Sequence, residues 1–362
     1  MGKSGSKYVT IGRTFSVERV VGRGAFGKVH CIVDVDTKKM YALKVMDKTK
    51  IAEKGDKVIQ GTIREKDMLY EVNHPLIVNL LSHGQDEYNL YMILDLMLGG
   101  ELEFHLKAKK KERWTEDNVK FYCAQLVSVL EYLHEEASIV HRDIKPQNLL
   151  LDEFGNIHLT DFNVSLPLEV GKKTSGFSGT KGYMAPEVLN DEPYDHNVDI
   201  WASGIILYRM LSGRFPWQQS KTREDLVEEV KTVDKLEYPD DVSDECKDCI
   251  KKMLSYSPDD RPSARELRNH PWLKDLCFED VKNKKLESPV TIKVGVAHVD
   301  QRMMLDEYMR DQVDSNNKKR ATLEDAGTKA KFEDWETGER RLEPSESEGE
   351  GGKKKKKKHT PL

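Results

Sequence analysis

Residues 141–148 read HRDIKPQN, and this stretch decides how the rest of the chain is interpreted. It places a carboxylate at Asp143, an ammonium at Lys145 and an amide at Asn148 on one short loop. Phosphoryl transfer uses such a set: a carboxylate that orients the attacking hydroxyl, a cation beside the γ-phosphate and an oxygen ligand for Mg²⁺. The spacing therefore indicates a phosphoryl-transfer site.

Two further motifs follow downstream. Residues 161–163 read DFN and lie beside a short predicted strand around Ile157. Asp161 of this motif offers the hard oxygen ligand that Mg²⁺ prefers. Residues 185–187 read APE and close a segment rich in Ser, Thr and Gly.

A glycine-rich turn and a lysine-bearing strand precede the loop. Residues 22–29 read GRGAFGKV between two predicted strands, and glycines let a backbone approach phosphates closely. The same G-x-G-x-x-G occurs in dinucleotide-binding folds at a strand-to-helix turn, which the strand that follows here disfavours. Lys44 lies in the apolar strand 39–46 and needs anions there, which a nucleotide and Glu65 on the next helix would supply. By itself, Lys44 could equally be a surface lysine with a packed stem.

Together, the five motifs follow the order of the protein kinase signature. Residues 15–273 resemble the protein kinase catalytic domain, and most closely AGC-type kinases of the YANK subgroup. Asn163 in place of the usual Gly, the sequence GTKGYMAPE at 179–187 and the opening Met1-Gly2 carry the subgroup resemblance. The resemblance implies an α+β, bilobal fold with a small β-rich lobe (15–97), a larger α-helical lobe (98–273) and an ATP cleft between them.

The resemblance also implies a role for each residue of the cleft. The phosphates of ATP would be covered by Val21, Gly22, Arg23, Gly24, Ala25, Phe26, Gly27, Lys28 and Val29. Adenine would lie between Val29, Ala42 and Leu150 beside the gatekeeper Leu94, its edge read by the backbone of Asp95 and Met97, and Glu101 would bind the ribose. Asp143 would be the catalytic base, Lys145 and Lys44 would hold phosphates, Glu65 would pair with Lys44, and Asn148 and Asp161 would bind Mg²⁺. Leu69, Leu80, His141 and Phe162 would form a spine anchored by Asp199, and Arg261 would pair with Glu187.

Other positions bear on the acceptor and on regulation. Thr180 lies where Ser/Thr kinases have a threonine between base and lysine, so Ser/Thr acceptors of protein substrates are expected. Arg142 could bind a phosphorylated loop at Thr174, Ser175 or Ser178, but Leu166 replaces the second basic partner, and one arginine makes a weak phosphate pocket. We therefore expect loop phosphorylation to be dispensable.

Two residues bear on substrate preference, and one departs from the family pattern. Gln147 and Lys181 favour acidic residues near the acceptor, although both could be uninformative surface residues. Asn163 replaces the usual Gly of its turn. Because asparagine tolerates positive φ, we expect the turn to form, and we expect flipping of Phe162 to be hindered.

Residue periodicity supports the same organisation. Strand-like alternation covers 15–21, 28–35, 39–46, 77–82 and 89–95, and helical spacing covers 56–72 and the chain from Thr115 onward. Residues 1–14 are expected to be a separate N-terminal segment, 274–312 an extension, and 313–362 a disordered tail. No F-x-x-F motif that could dock on the small lobe is found after Leu273.

Composition excludes several classes of protein. The net charge of −5 provides no overall basic surface, so no nucleic-acid partner is expected. The five cysteines are scattered, which is typical of a reducing compartment, and Cys246 and Cys249 lack the second pair that zinc would require. No apolar run approaches the roughly 20 residues of a membrane span. We expect a cytoplasmic monomer.

The two ends suggest membrane contact. Residues 1–6 fit the pattern for N-myristoylation at Gly2, and Lys353–Lys358 are six consecutive lysines that could bind an anionic leaflet. The lysines could equally be a nuclear-import or nucleic-acid patch, or part of a solvated disordered tail. Ser345 and Ser347 lie among acidic residues, and their phosphorylation would weaken the attachment. The location expected is cytoplasmic and peripheral at the inner plasma membrane, with the nucleus as the alternative.

Two functions from other classes stay open at this stage. A pseudokinase scaffold would bind nucleotide without catalysis, which the intact Lys44, Glu65, Asp143, Asn148 and Asp161 disfavour. A lipid-anchored adaptor, for which catalysis is incidental, would depend on Gly2.

Overall fold

The computed structural model describes residues 8–108, 113–217, 222–232, 235–290, 292, 332 and 335–339. Gly2, the acidic serine cluster and the polylysine run lie outside these residues. Within them, no helix is both long and apolar enough to cross a bilayer.

The small lobe is a curled antiparallel sheet with two helices. Its strands are β1 (Tyr8–Ile11), β2 (Arg13–Arg23), β3 (Gly27–Asp34), β4 (Met40–Asp47), β5 (Leu80–Gln85) and β6 (Asn89–Asp95), and its helices are α1 (Lys48–Ala52) and α2 (Asp56–Glu71). The strand order is β1-β2-β3-β4-β6-β5-β12, where β12 is the tail strand Gly338–Glu339. Apolar residues are buried on both faces of this sheet: Ala42 and Met92 pack in the main core, and Leu43, Leu81 and Ile93 pack in a second, smaller cluster on the opposite face.

The large lobe is mostly helical. Its helices are α3 (Leu102–Ala108), α4 (Glu116–Glu131), α5 (Pro186–Leu189), α6 (Asn197–Ser212), α7 (Arg223–Val230), α8 (Asp244–Met253), α9 (Ala264–Arg268) and α10 (Phe278–Lys282). Its short strands are β7 (Gly100–Glu101), β8 (Ile139–Val140), β9 (Leu149–Leu151), β10 (Ile157–Leu159) and β11 (Leu166–Pro167). The predicted α+β bilobal fold is confirmed.

Local sequence signals explain where the central helices begin and end. The Thr115 hydroxyl accepts from the Asn118 amide at the start of α4, and the Asn118 side chain bonds back to the Thr115 amide. This capping box fixes the start of the helix, whose apolar residues are then buried. Gly213 has φ 71°, the left-handed conformation that commonly terminates a helix, and it ends α6.

Segments expected outside the domain add strands to the small-lobe sheet. Residues 8–11, expected to belong to a separate segment, pair with β2. The expectation of disorder over 313–362 is wrong for Phe332 and residues 335–339. Phe332 and Trp335 are fully buried, and β12 pairs with β5. Residues 332–335 read FEDW, an F-x-x-W rather than an F-x-x-F motif, and its two aromatic residues dock on the small lobe.

Candidate active site

Lys44 lies in the centre of the small-lobe sheet and points at a carboxylate. Its strand β4 pairs with β3 and β6, opposite Val29 and Met92. The ammonium donates to both oxygens of Glu65 on α2, at 2.7 and 2.9 Å. Burial raises the pKa of Glu65, the Lys44 contact opposes that rise, and the nearby Asp161 carboxylate adds to it. The lysine, its partner and Asp161 therefore converge, although they are far apart in the sequence.

Asp143, Lys145 and Thr180 form a closed hydrogen-bonded triangle. The Lys145 ammonium donates to Asp143 Oδ2 at 2.6 Å and to the Thr180 hydroxyl at 2.9 Å. The Thr180 hydroxyl in turn donates to Asp143 Oδ1 at 2.7 Å. A carboxylate held from both oxygens has a fixed orientation, which a group that must align an attacking hydroxyl requires.

Asn148 and Asp161 are adjacent and offer the donor set that Mg²⁺ prefers. The Thr160 amide donates to the Asn148 carbonyl at 3.0 Å, which brings the two segments together. The Asn148 side-chain nitrogen donates to the Asp143 carbonyl and to Asp143 Oδ2, at 2.9 and 3.2 Å. Its amide oxygen is therefore left to serve as a ligand. An amide oxygen and a carboxylate, completed by phosphate oxygens and water, suit Mg²⁺.

The glycine-rich turn joins β2 to β3, with Gly24 and Gly27 exchanging backbone hydrogen bonds at 2.9 and 3.4 Å. A Cβ at Gly27 would lie 1.8 Å from the carbonyl oxygen of Val45, so only glycine fits this close approach. The residue after the turn begins a strand, which removes the dinucleotide-fold alternative. The turn can therefore lie close over phosphates.

The residues expected around adenine lie where the lobes meet. Ala42 is buried, while Val29 and Leu150 pack half-buried against the same core. The Asp95 amide donates to the Asn79 carbonyl at 3.1 Å, and the Met97 carbonyl accepts from the Gly100 amide at 3.4 Å. Glu101 lies opposite Leu150 in the sheet formed by β7 and β9, at the edge of the same cleft.

Comparison with known proteins agrees with this geometry. The model of the protein kinase domain matches residues 15–273. The chain belongs to the protein kinase family.

Its relatives are serine/threonine kinases. The kinase is 39% identical to a probable serine/threonine-protein kinase of Dictyostelium discoideum, over 76% of this chain and 60% of that protein. It is 35% identical to human serine/threonine-protein kinase 32B, over 84% of this chain and 74% of the relative. It is 34% identical to mouse serine/threonine-protein kinase 32C, over 84% of this chain and 63% of that protein. The chain thus spans less than two thirds of the Dictyostelium and mouse proteins. The kinases numbered 32 form the YANK subgroup, so the predicted resemblance is confirmed.

The kinase has the spine expected to link its lobes. Leu69, Leu80, His141 and Phe162 are all buried, and the His141 and Phe162 rings meet edge to face at 4.9 Å. Asp199 accepts from the amides of His141 and Arg142, both at 2.8 Å. Burial opposes ionisation of Asp199, yet the hydrogen bonds from His134 and from the His141 amide lower its pKa. Arg261 binds Glu187 through two hydrogen bonds of 2.6 and 2.8 Å.

The activation segment of the kinase is anchored by protein groups. The Arg142 guanidinium donates to the Val164 carbonyl at 2.6 Å and to the Tyr194 hydroxyl at 3.0 Å. That hydroxyl donates to the Gly176 carbonyl at 2.9 Å. Among the regulatory candidates, Thr174 exchanges backbone hydrogen bonds with Tyr194. Ser178 lines a small cavity beside Asp143, whereas Ser175 is exposed.

A charged cluster that the sequence reasoning missed lies next to this segment. Arg209 of α6 binds the Glu103 carboxylate at 2.6 and 3.0 Å and donates to the Tyr183 hydroxyl at 2.9 Å. Lys107 reaches the same carboxylate at 3.2 Å. Tyr183 lines the small cavity beside Asp143 and Thr180. Arg209, the one basic residue of a largely apolar helix, was the available signal, because a charge there requires a partner.

Proposed function

We propose that this kinase transfers the γ-phosphoryl group of Mg-ATP to Ser or Thr hydroxyls of protein substrates. The observation that carries the proposal is the convergence of Lys44, Asp143, Asn148 and Asp161 on one cleft. Hydrogen bonds to protein partners hold the side chains of Lys44, Asp143 and Asn148. Such positioning and electrostatic stabilisation provide most of the catalysis in phosphoryl transfer.

The protein side chains divide the work. Asp143 accepts a hydrogen bond from the substrate hydroxyl and takes its proton as the hydroxyl oxygen bonds to the γ-phosphorus. At the same time the bond between the γ-phosphorus and the β,γ-bridging oxygen breaks, and ADP leaves. Lys145 stabilises the charge on the transferred group and Lys44 holds the phosphates, while Thr180 keeps base and lysine in register. Magnesium held by Asn148 and Asp161 would neutralise the phosphates.

The test is ³²P incorporation from γ-labelled ATP into a mixture of Ser/Thr peptides, with phosphoamino acid analysis of the product. Asp143→Ala should lower incorporation by about 100-fold or more. Asp259→Ala, at an exposed carboxylate outside the cleft, is the matched control and should match wild type. Wild-type protein without transfer, or transfer that survives in Asp143→Ala, would contradict the proposal.

Activity should not depend on phosphorylation of the activation segment. The Arg142 guanidinium is already engaged by Val164 and Tyr194, so a phosphate is not needed to fill its place. Phosphatase-treated protein and the triple variant Thr174→Ala, Ser175→Ala, Ser178→Ala should retain turnover. Phosphate-free protein that shows no turnover would refute this part.

The charged cluster of Arg209, Glu103 and Lys107 supports a preference for substrates with acidic residues near the acceptor hydroxyl. Glu103 is buried and neutralised by Arg209 and Lys107, so it offers little attraction to a basic substrate residue. Gln147 and Lys181 add no negative charge nearby. A positional peptide library should therefore select Asp or Glu. Arg209→Ala should shift the selection towards basic residues because it partly frees Glu103. Selection of arginine by wild type would count against this preference.

The proposed location is a membrane surface, to which the protein attaches through an acyl chain on Gly2 and the lysine run Lys353–Lys358. One acyl chain binds only marginally, and a basic cluster supplies the second attraction. Binding of the acylated protein to phosphatidylserine vesicles should be lost in Gly2→Ala and reduced when the six lysines are replaced by serine. Equal binding of all three proteins would exclude it.

A further inference from the structure

Asn163 stands where the motif usually has glycine, and its side chain makes a hydrogen bond that glycine could not make. Of the described non-glycine residues with positive φ, Asp161 is one, at 69°, and Asn163 is not among them. The turn therefore forms without a left-handed residue at position 163, and its left-handed residue is Asp161. Asn163 Nδ2 donates a hydrogen bond of 2.5 Å to Asp161 Oδ1.

The backbone that carries this amide is held from two sides. On one side, Phe162 is fully buried against His141, and its carbonyl accepts from the Ser165 amide at 3.1 Å. On the other side, helix α2 passes so close that a Cβ at Gly61 would lie 3.2 Å from the Asn163 carbonyl oxygen. Gly61 and Glu65 are one turn apart and share a helix face, so the partner of Lys44 faces the same segment.

We propose that Asn163 is a positioning residue that fixes the Asp161 carboxylate for binding of the magnesium-bound nucleotide. The inference rests on the proposed function. A free Asp side chain rotates about two bonds, and its orientation must be fixed when a metal ion binds. The amide of Asn163 fixes it beforehand and occupies Oδ1, which leaves Oδ2 for the metal. Groups that orient a metal ligand in this way commonly change metal affinity by about 10- to 100-fold.

Binding of Mn²⁺ to the ADP complex tests the proposal without requiring turnover. Mn²⁺ shares the oxygen-ligand preference of Mg²⁺ and is followed by electron paramagnetic resonance. Wild type, Asn163→Ala and Asn163→Gly are compared, with Asp161→Ala as the reference for a lost ligand. Asn283→Ala is the matched control, because Asn283 also donates to a carboxylate, that of Glu279 at 2.7 Å, on the exposed surface of the large lobe.

We expect both Asn163 variants to bind Mn²⁺ about 10-fold more weakly, with the affinity for metal-free ADP unchanged. Asn283→Ala should bind like wild type. Wild-type Mn²⁺ affinity in the Asn163 variants overturns the proposal, as does an equal loss of metal-free ADP binding, which would indicate a damaged cleft. If Asn163→Ala does not fold, Asn163→Gly decides. A wild-type protein that binds Mn-ADP but transfers no phosphate would refute the proposed function and leave the positioning role standing.

Discussion

The indole nitrogen of Trp335 donates a 2.9 Å hydrogen bond to the carbonyl of Gly84, 251 residues earlier in the chain. Gln85 Nε2 donates to the carbonyls of Phe332 and Trp335, at 3.1 and 2.6 Å. The Lys66 ammonium, from α2, lies 5.6 Å from the centre of the Trp335 ring. The tail therefore covers the edge strand β5 and also contacts the helix that carries Glu65.

Removal of the docked aromatic ring should destabilise the protein. Trp335→Ala deletes a fully buried side chain, and such a change costs about 3 kcal/mol. Thermal melting should show the loss, whereas Phe154→Ala, at a ring that is 72% exposed, should melt like wild type. Identical melting temperatures of both variants and wild type would show that the tail does not stabilise the small lobe.

The Thr180 hydroxyl should be important for turnover. Thr180→Val keeps the shape but loses both hydrogen bonds of the triangle, so kcat should fall about 10- to 100-fold. Thr180→Ser keeps a hydroxyl and should recover most of the activity. The ratio of kcat in the two variants is the measurement. A valine variant as active as the serine variant would mean that Asp143 and Lys145 are aligned by other contacts.

The Lys44–Glu65 pair should affect activity more than stability. Glu65→Gln leaves the volume unchanged and removes the ion pair, so we expect kcat/KM for ATP to fall about 10-fold or more. The melting temperature should also fall, because Lys44 loses its counter-charge, but only modestly because the Lys44 side chain is 25% exposed to water. Glu71→Gln, at the exposed end of the same helix, is the control. A large loss of stability with unchanged kcat/KM would contradict the role of this pair.

Stability should fall in acid partly because of His74. Burial lowers the pKa of this histidine from 6.5 to about 4, with smaller contributions from Lys282 and His158. The unfolded chain therefore binds a proton more readily, so this stabilisation is complete above pH 6.5. It is lost as the pH falls through 4, to a total of about 3 kcal/mol.

His74→Asn isolates the contribution of this residue. His74 Nδ1 accepts from the Leu76 amide at 3.2 Å, and an asparagine oxygen can accept in its place without titrating in this range. Denaturant unfolding measured from pH 7 to pH 4 should show a flatter decline for the variant. Parallel curves for the two proteins would exclude His74 as the cause.

The sequence predicted the parts of the site whose residues lie close together in the chain. Asp143, Lys145 and Asn148 share one loop, and short-range geometry is enough to bring them together. Lys44 and Glu65 were also predicted as partners, because a charge within an apolar strand requires a counter-charge and Glu65 lies on the inward face of the next helix. Strand alternation similarly located most of β2, β3, β4 and β6.

Contacts that depend on tertiary packing were not predictable in this way. Arg209 and Glu103 lie on different helices, 106 residues apart in the sequence, and no local sequence pattern predicts that they meet. The tail segment has the composition of a disordered chain, and only tertiary contacts with β5 and with Lys66 of α2 make its two aromatic residues a docking motif. The left-handed residue in the DFN turn is Asp161 rather than Asn163, and the sequence of the motif does not indicate which of its residues takes that conformation.

The central claim is that Lys44, Asp143, Asn148 and Asp161 surround one triphosphate and its metal ion. A crystal structure of the protein with Mg²⁺ and a non-hydrolysable ATP analogue tests it most directly. We predict the Lys44 ammonium on the α- and β-phosphates, and the metal bound by oxygens of Asn148 and Asp161. An analogue bound elsewhere, or a metal ion that contacts neither side chain, would contradict the account.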